Sequence, residues 1–115
     1  MNALIIDTTD ATFVSEVLQS DIWTLVLFWD KSCNLSKELV PVFNALASTY
    51  NQNNPNILDL SGPVKFIRAH IDENKRHYLD FKPGHLPAIL LFKDGQLIRT
   101  TGDKEMSKTI LLTFF

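Results

Sequence analysis

Cys33 is the only cysteine among 115 residues, and its neighbours decide what its sulfur can do. It lies in Trp29-Asp30-Lys31-Ser32-Cys33-Asn34-Leu35-Ser36-Lys37, between the apolar run Leu25 to Phe28 and the amphipathic run Leu39 to Tyr50. The first run reads as a buried strand and the second as a helix. The cysteine therefore falls where a strand hands over to a helix N-terminus, which offers unpaired backbone N–H groups and the positive end of the helix dipole. Both favour thiolate over thiol, and Lys31 adds a nearby cation while Asp30 opposes it. A thiol pKa below the ordinary value of about 8.5 is expected.

The elements that would hold this loop can be read in order. Ala3 to Ile6 is a short apolar strand. Thr8-Thr9-Asp10 offers capping oxygens, and Phe13, Val14, Val17 and Leu18 follow at helical spacing, predicting a helix of about ten residues. Thr24 to Trp29 is apolar on both faces, as in a central parallel strand covered by helices on both sides. The next helix presents Leu35, Leu39, Val42, Phe43, Leu46 and Tyr50 on one face, with Pro41 inside it. Residues 51–63 read as an inserted loop, Asn-rich at first. Val64 to Ile71 is a strand, and Asp72-Glu73-Asn74 caps a short helix through Tyr78, Leu79 and Phe81. Ala88 to Phe92 and Gln96 to Thr101 form a hairpin about Asp94-Gly95, and a last helix carries Met106, Ile110, Leu111 and Phe114. His70 and His77 read as strand and helix-surface residues, and His85 as a solvated loop residue.

Several motifs resemble the thioredoxin family. They are Phe28-Trp29 at a strand end, Cys33-Asn34-Leu35-Ser36 as Cys-x-x-Ser, Pro41 five residues after Ser36, and Phe81 to Gly95 as the cis-proline segment with its hairpin. The resemblance runs from about Ile5 to the end of the chain. It implies a single domain over 1–115 with an α/β fold, a thioredoxin-like three-layer α/β/α sandwich on a mixed sheet. It also implies that Leu86-Pro87 is cis and faces the active loop. Cys33 and Ser36 become the candidate catalytic residues. Trp29, Lys31, Ser32, Asn34, Leu35, Leu86 and Pro87 become the candidate substrate-binding residues.

The departures from the family pattern shape the expected chemistry. Dithiol members resolve a mixed disulfide with a second cysteine, and here that position is Ser36. A hydroxyl cannot displace sulfur, but it can donate a hydrogen bond to a Cys33 thiolate. Ser32 stands where the family has Trp, Asn34-Leu35 where it has Gly-Pro, and Ala88 where it has Thr. The family's buried Asp falls at Leu27, and that residue's Lys partner at Arg68. These features predict monothiol thiol–disulfide exchange or isomerase-type mixed-disulfide formation, not dithiol reductase turnover, with glutathione as an external thiol and no bound cofactor. The alternative is a non-catalytic protein-binding module, chaperone-associated or a structural subunit of a larger complex.

Composition narrows the setting. The formal net charge is −2 and the basic residues are scattered, which argues against a nucleic-acid surface. No Cys/His/Asp set has metal-ligand spacing, and no apolar run is long enough to span a bilayer. The N-terminus lacks the basic start and small-residue cleavage site of a signal peptide. One cysteine cannot form an internal disulfide, so the expected setting is the cytoplasm or another reducing compartment, with protein partners meeting the active-loop face.

Overall fold

The computed structural model describes residues 5–52, 64–81 and 86–101. Five strands form one mixed sheet: β1 (Ile5–Asp7), β2 (Trp23–Trp29), β3 (Val64–His70), β4 (Ala88–Lys93) and β5 (Gln96–Thr101). Their spatial order is β1-β3-β2-β4-β5. β3 runs parallel to both β1 and β2, whereas β4 is antiparallel to β2 and β5. The central position of β2 explains its sequence. Strand residues alternate between faces, and both faces here are covered, so no polar side of the alternation survives.

The cover is divided cleanly. Leu25 and Leu27 of β2, with Phe66 and Ile89, pack against Leu39, Phe43 and Ala47 of α1 (Asn34–Gln52). Val26 and Phe28, with Ile67, Leu90 and Phe92, pack on the other face against Phe13 and Val17, with Tyr78 and Phe81 of α2 (Lys75–Phe81) against the rim. This is a three-layer α/β/α sandwich. Phe13, Phe28, Phe43, Phe66 and Phe92 are fully buried, each contributing about 1.5–3 kcal/mol of burial.

Several local expectations are corrected. The first helix is a single π-helical turn over Val14–Leu18, closed by the Gln19 N–H on the Val14 carbonyl at 2.8 Å. Residues 9–12 are consumed by a preceding turn, in which the Thr12 and Phe13 amides both donate to the Thr9 carbonyl. Phe13 and Val17 are buried as expected, but Val14 is exposed. α1 continues through Gln52, so Asn51 and Gln52 belong to the helix and not to the inserted loop; residues 53–63 lie outside the described residues, as do His85 and the expected last helix.

Asp10 does not cap its own turn. Its carboxylate reaches across the chain to the start of α2, accepting the amides of Arg76 (3.1 Å) and His77 (3.2 Å) and meeting His77 Nδ1 at 2.8 Å. His77 is therefore buried, not on the helix surface, and its ring stacks on Phe13 with centroids 4.4 Å apart. Burial alone would push Asp10 up, but the Arg76 and His77 hydrogen bonds and the His77 charge outweigh it and hold the carboxyl below its usual range. Asn74 completes this corner. It is buried, donates to the carbonyls of Thr8 and His70, both at 2.8 Å, and so ties the ends of β1 and β3 together.

Candidate functional site

The loop carrying Cys33 leaves β2 at Trp29, at the same end of the sheet where β3 finishes. Trp29 and His70 are register partners there. Three successive backbone N–H groups of the loop have a defined destination. The Lys31 N–H points to His70 Nε2 (3.1 Å), the Ser32 N–H to Asp30 Oδ1 (3.0 Å), and the Cys33 N–H to the Asp30 carbonyl (3.0 Å). The Ser32 hydroxyl also donates to Asp30 Oδ1 at 2.8 Å. These two Ser32 bonds, helped by the charges of His70 and Lys31, hold the Asp30 carboxyl below its usual value against a smaller opposing effect of burial.

α1 begins at once. The Lys37 N–H donates to the Cys33 carbonyl at 3.0 Å, which makes Cys33 the residue that opens the helix. Its side chain is half-buried. The amides that follow it, at Asn34, Leu35 and Ser36, occupy the helical turn that has no intrahelical acceptor. That is the electropositive setting expected to favour thiolate.

The other sequence-derived candidates separate into two groups. Lys31, Ser32 and Asn34 are exposed and Leu35 is half-buried, so the loop presents a contiguous surface around Cys33. Ser36 is not part of that surface. It is fully buried, and its hydroxyl makes no hydrogen bond. The expected donation from Ser36 to Cys33 is thus not formed in this structure, because the hydroxyl is held inside the helix–sheet interface. Trp29 is half-buried and packs its indole edge-on to His70, centroids 4.7 Å apart, as a wall beneath the loop. The Leu86–Pro87 peptide is cis, with Pro87 buried. Ala88 follows and pairs with Phe28, so Pro87 enters the sheet at the end where the Cys33 loop leaves it.

Leu27 is fully buried, and its register partner on β3 is Arg68. Arg68 does not face an unfilled carboxylate position. Its guanidinium makes a bidentate pair with Asp7 of β1, at 2.7 and 2.8 Å, and reaches Asn44 of α1 at 3.2 Å. A cleft of about 440 Å³ opens between this pair and the loop, with Trp29, Lys31, His70 and Asp72 among its walls. The sequence reading missed the roles of His70 and Asp30. Asp30-x-Ser32 is a legible signal for a side-chain turn. His70 becomes visible only once β2 and β3 are paired in register.

A mixed sheet with a parallel β1-β3-β2 half, an antiparallel hairpin entered through a cis proline, and a cysteine opening the helix after the central strand define a thioredoxin-fold domain with a single active-loop cysteine. Comparison with known proteins agrees. The thioredoxin family model matches residues 4–114. The chain is 30% identical over 103 residues to a thioredoxin of Rickettsia typhi, covering 90% of this chain and 89% of that protein. It is 35% identical over 92 residues to thioredoxin 1 of Synechococcus elongatus, covering 80% and 77%. Among solved structures, the thioredoxin Mala s 13 of Malassezia sympodialis superposes with a TM-score of 0.71 at 21% identity, covering 99% of this chain and 92% of that one. The chain belongs to the thioredoxin family. Among the described residues, no helix is long and apolar enough to cross a membrane.

Proposed function

We propose that this domain carries out monothiol thiol–disulfide exchange on protein substrates through Cys33. The observation that carries the reading is the position of Cys33, half-buried and opening α1. In the first step the Cys33 thiolate attacks one sulfur of a substrate disulfide. A Cys33–substrate disulfide forms, and the other substrate sulfur leaves as a thiolate and takes a proton from solvent. In the second step a thiolate from the substrate, or from glutathione, attacks that mixed disulfide and releases Cys33. When the substrate supplies the thiolate, one disulfide is exchanged for another without net oxidation. Ser36 cannot take this second role, since a hydroxyl is not a competent attacking group at neutral pH.

Lys31, Ser32, Asn34 and Leu35, with Trp29 beneath them and Leu86-Pro87 at the same sheet end, would form the face that meets the protein partner. No bound cofactor is needed, because the external thiol is a co-substrate. A reducing compartment such as the cytoplasm suits a cysteine that must be returned to its thiol after each exchange.

A second reading has its own support. Leu27 is apolar where a proton-accepting carboxylate would serve, and the Ser36 hydroxyl makes no hydrogen bond. Both fit a domain that binds proteins through the same face without turning over, as a chaperone-associated module or a subunit of a complex. The two are separated by the rate of Cys33 alkylation against pH. Exchange predicts a midpoint clearly below the ordinary thiol value of about 8.5; a midpoint at or above it favours the binding module.

A further inference from the structure

His70 stands between two backbone N–H groups. Its Nε2 lies 3.1 Å from the Lys31 nitrogen, and its Nδ1 lies 3.2 Å from the Asp72 nitrogen. A neutral imidazole has one lone pair available in the ring plane, on whichever nitrogen is not protonated. It can satisfy one of these donors, not both. The charge around the ring selects which. Asp72 Oδ2 lies 3.9 Å from Nδ1, so a proton on Nδ1 is drawn by a carboxylate, and the lone pair on Nε2 is left for Lys31. The Asp72 N–H, 3.2 Å from Nδ1, then faces the protonated nitrogen and has no acceptor on the ring.

The ring has little freedom to do otherwise. Its side chain is 12% exposed, and the Trp29 edge lies against it. Its backbone is fixed as well, since its carbonyl accepts from Asn74. We infer that His70 is a positioning residue for the Cys33 loop: the neutral ring pins the Lys31 N–H, and protonation of the ring removes that pin. A doubly protonated ring has no acceptor at all, so both neighbouring N–H groups would then face N–H groups. With the ring held in place, the Lys31 N–H loses its acceptor, and the turn over Asp30–Cys33 keeps only the bonds that Asp30 itself supplies. Asp30 and Lys31 from the loop, Asp72 and Glu73 from the turn after β3, Arg68 on β3 and Asp7 on β1 are the charged groups around this ring. The consequence for Cys33 reactivity rests on the exchange reading above; the pin itself does not.

The test separates these two claims. In a ¹⁵N-labelled Cys33→Ser protein, the Lys31 amide should shift with pH and show the same midpoint as the His70 ring resonances of that sample. His70→Gln supplies an uncharged acceptor near the Nε2 position, so the Lys31 amide should stay protected and stop titrating. His70→Ala should speed Lys31 hydrogen exchange about fivefold or more, the loss of one hydrogen bond. A Lys31 amide that ignores the His70 titration overturns the pin, whatever the variants do. In the wild-type thiol, the ratio of Cys33 alkylation rates between wild type and His70→Gln should change across the His70 midpoint. A ratio that stays constant overturns the functional consequence. A thiol that is unreactive throughout overturns exchange, while the amide titration still decides the pin.

Discussion

Ser36→Ala should make the protein more stable. In the folded chain the Ser36 side chain is fully buried and its hydroxyl has no hydrogen-bond partner. In the unfolded chain the same hydroxyl is hydrated. Leaving such a group unpaired costs about 1–3 kcal/mol. Alanine removes that cost and is the better helix former by up to about 0.5 kcal/mol. Against this stand the contacts of one deleted oxygen, each about 0.1–0.2 kcal/mol. The net expectation is a gain of about 1 kcal/mol. With an unfolding entropy of about 2.1 cal/mol/K per residue, a domain of this length gains about 4 °C in Tm for each kcal/mol. Calorimetry of the reduced protein measures it. A fall in Tm would refute the reasoning, since it would mean that the hydroxyl has a partner in the folded protein.

Gly95 follows Asp94 in the β4–β5 turn, and both have positive φ, 76° and 53°. A Cβ at Gly95 would overlap the Leu18 carbonyl oxygen. Gly95→Ala should therefore lose about 2–4 kcal/mol, from the left-handed backbone and the displaced turn together, seen as a lower urea midpoint at unchanged slope. Asp10 has its pKa depressed in the fold, so its contribution is fully present above the ordinary carboxylate range and is lost as pH falls through the folded pKa. Asp10→Asn keeps an oxygen for the α2 amides but cannot titrate; its urea midpoint should fall less between about pH 6 and pH 3 than that of wild type. Some dependence should remain, because Asp30 is depressed as well.

Much of the fold is legible in the sequence because the hydrophobic patterns are unambiguous. Leu25 to Phe28 carries no polar residue, which only a strand covered on both faces requires. Asp94-Gly95 sets the hairpin. The Gln96–Thr101 strand is present as its pattern indicates. What escaped the sequence depends on partners far along the chain. His77 sits beside Lys75 and Arg76 and looks like a surface residue. It is buried because Asp10, 67 positions earlier, meets its ring. Arg68 looks like half of a lost ion pair, yet its carboxylate is Asp7, on a different strand from the one the resemblance suggests. The candidate site was legible as far as Cys33 and its loop. The spacing of Cys33 and Ser36 could not reveal that the hydroxyl points into the interior, because three residues along a helix fix a face and not a rotamer.

The most direct test of the account is what Cys33 carries in living cells. The protein is expressed, quenched in acid to halt exchange, and its adducts are identified by intact-mass and peptide mass spectrometry. A reactive thiolate without an internal resolving thiol should accumulate mixed disulfides. The wild type should therefore carry partner proteins or glutathione on Cys33, and Cys33→Ser should carry none. A wild-type adduct fraction no greater than that of an ordinary surface cysteine would contradict monothiol exchange and leave a protein-binding thioredoxin fold in its place.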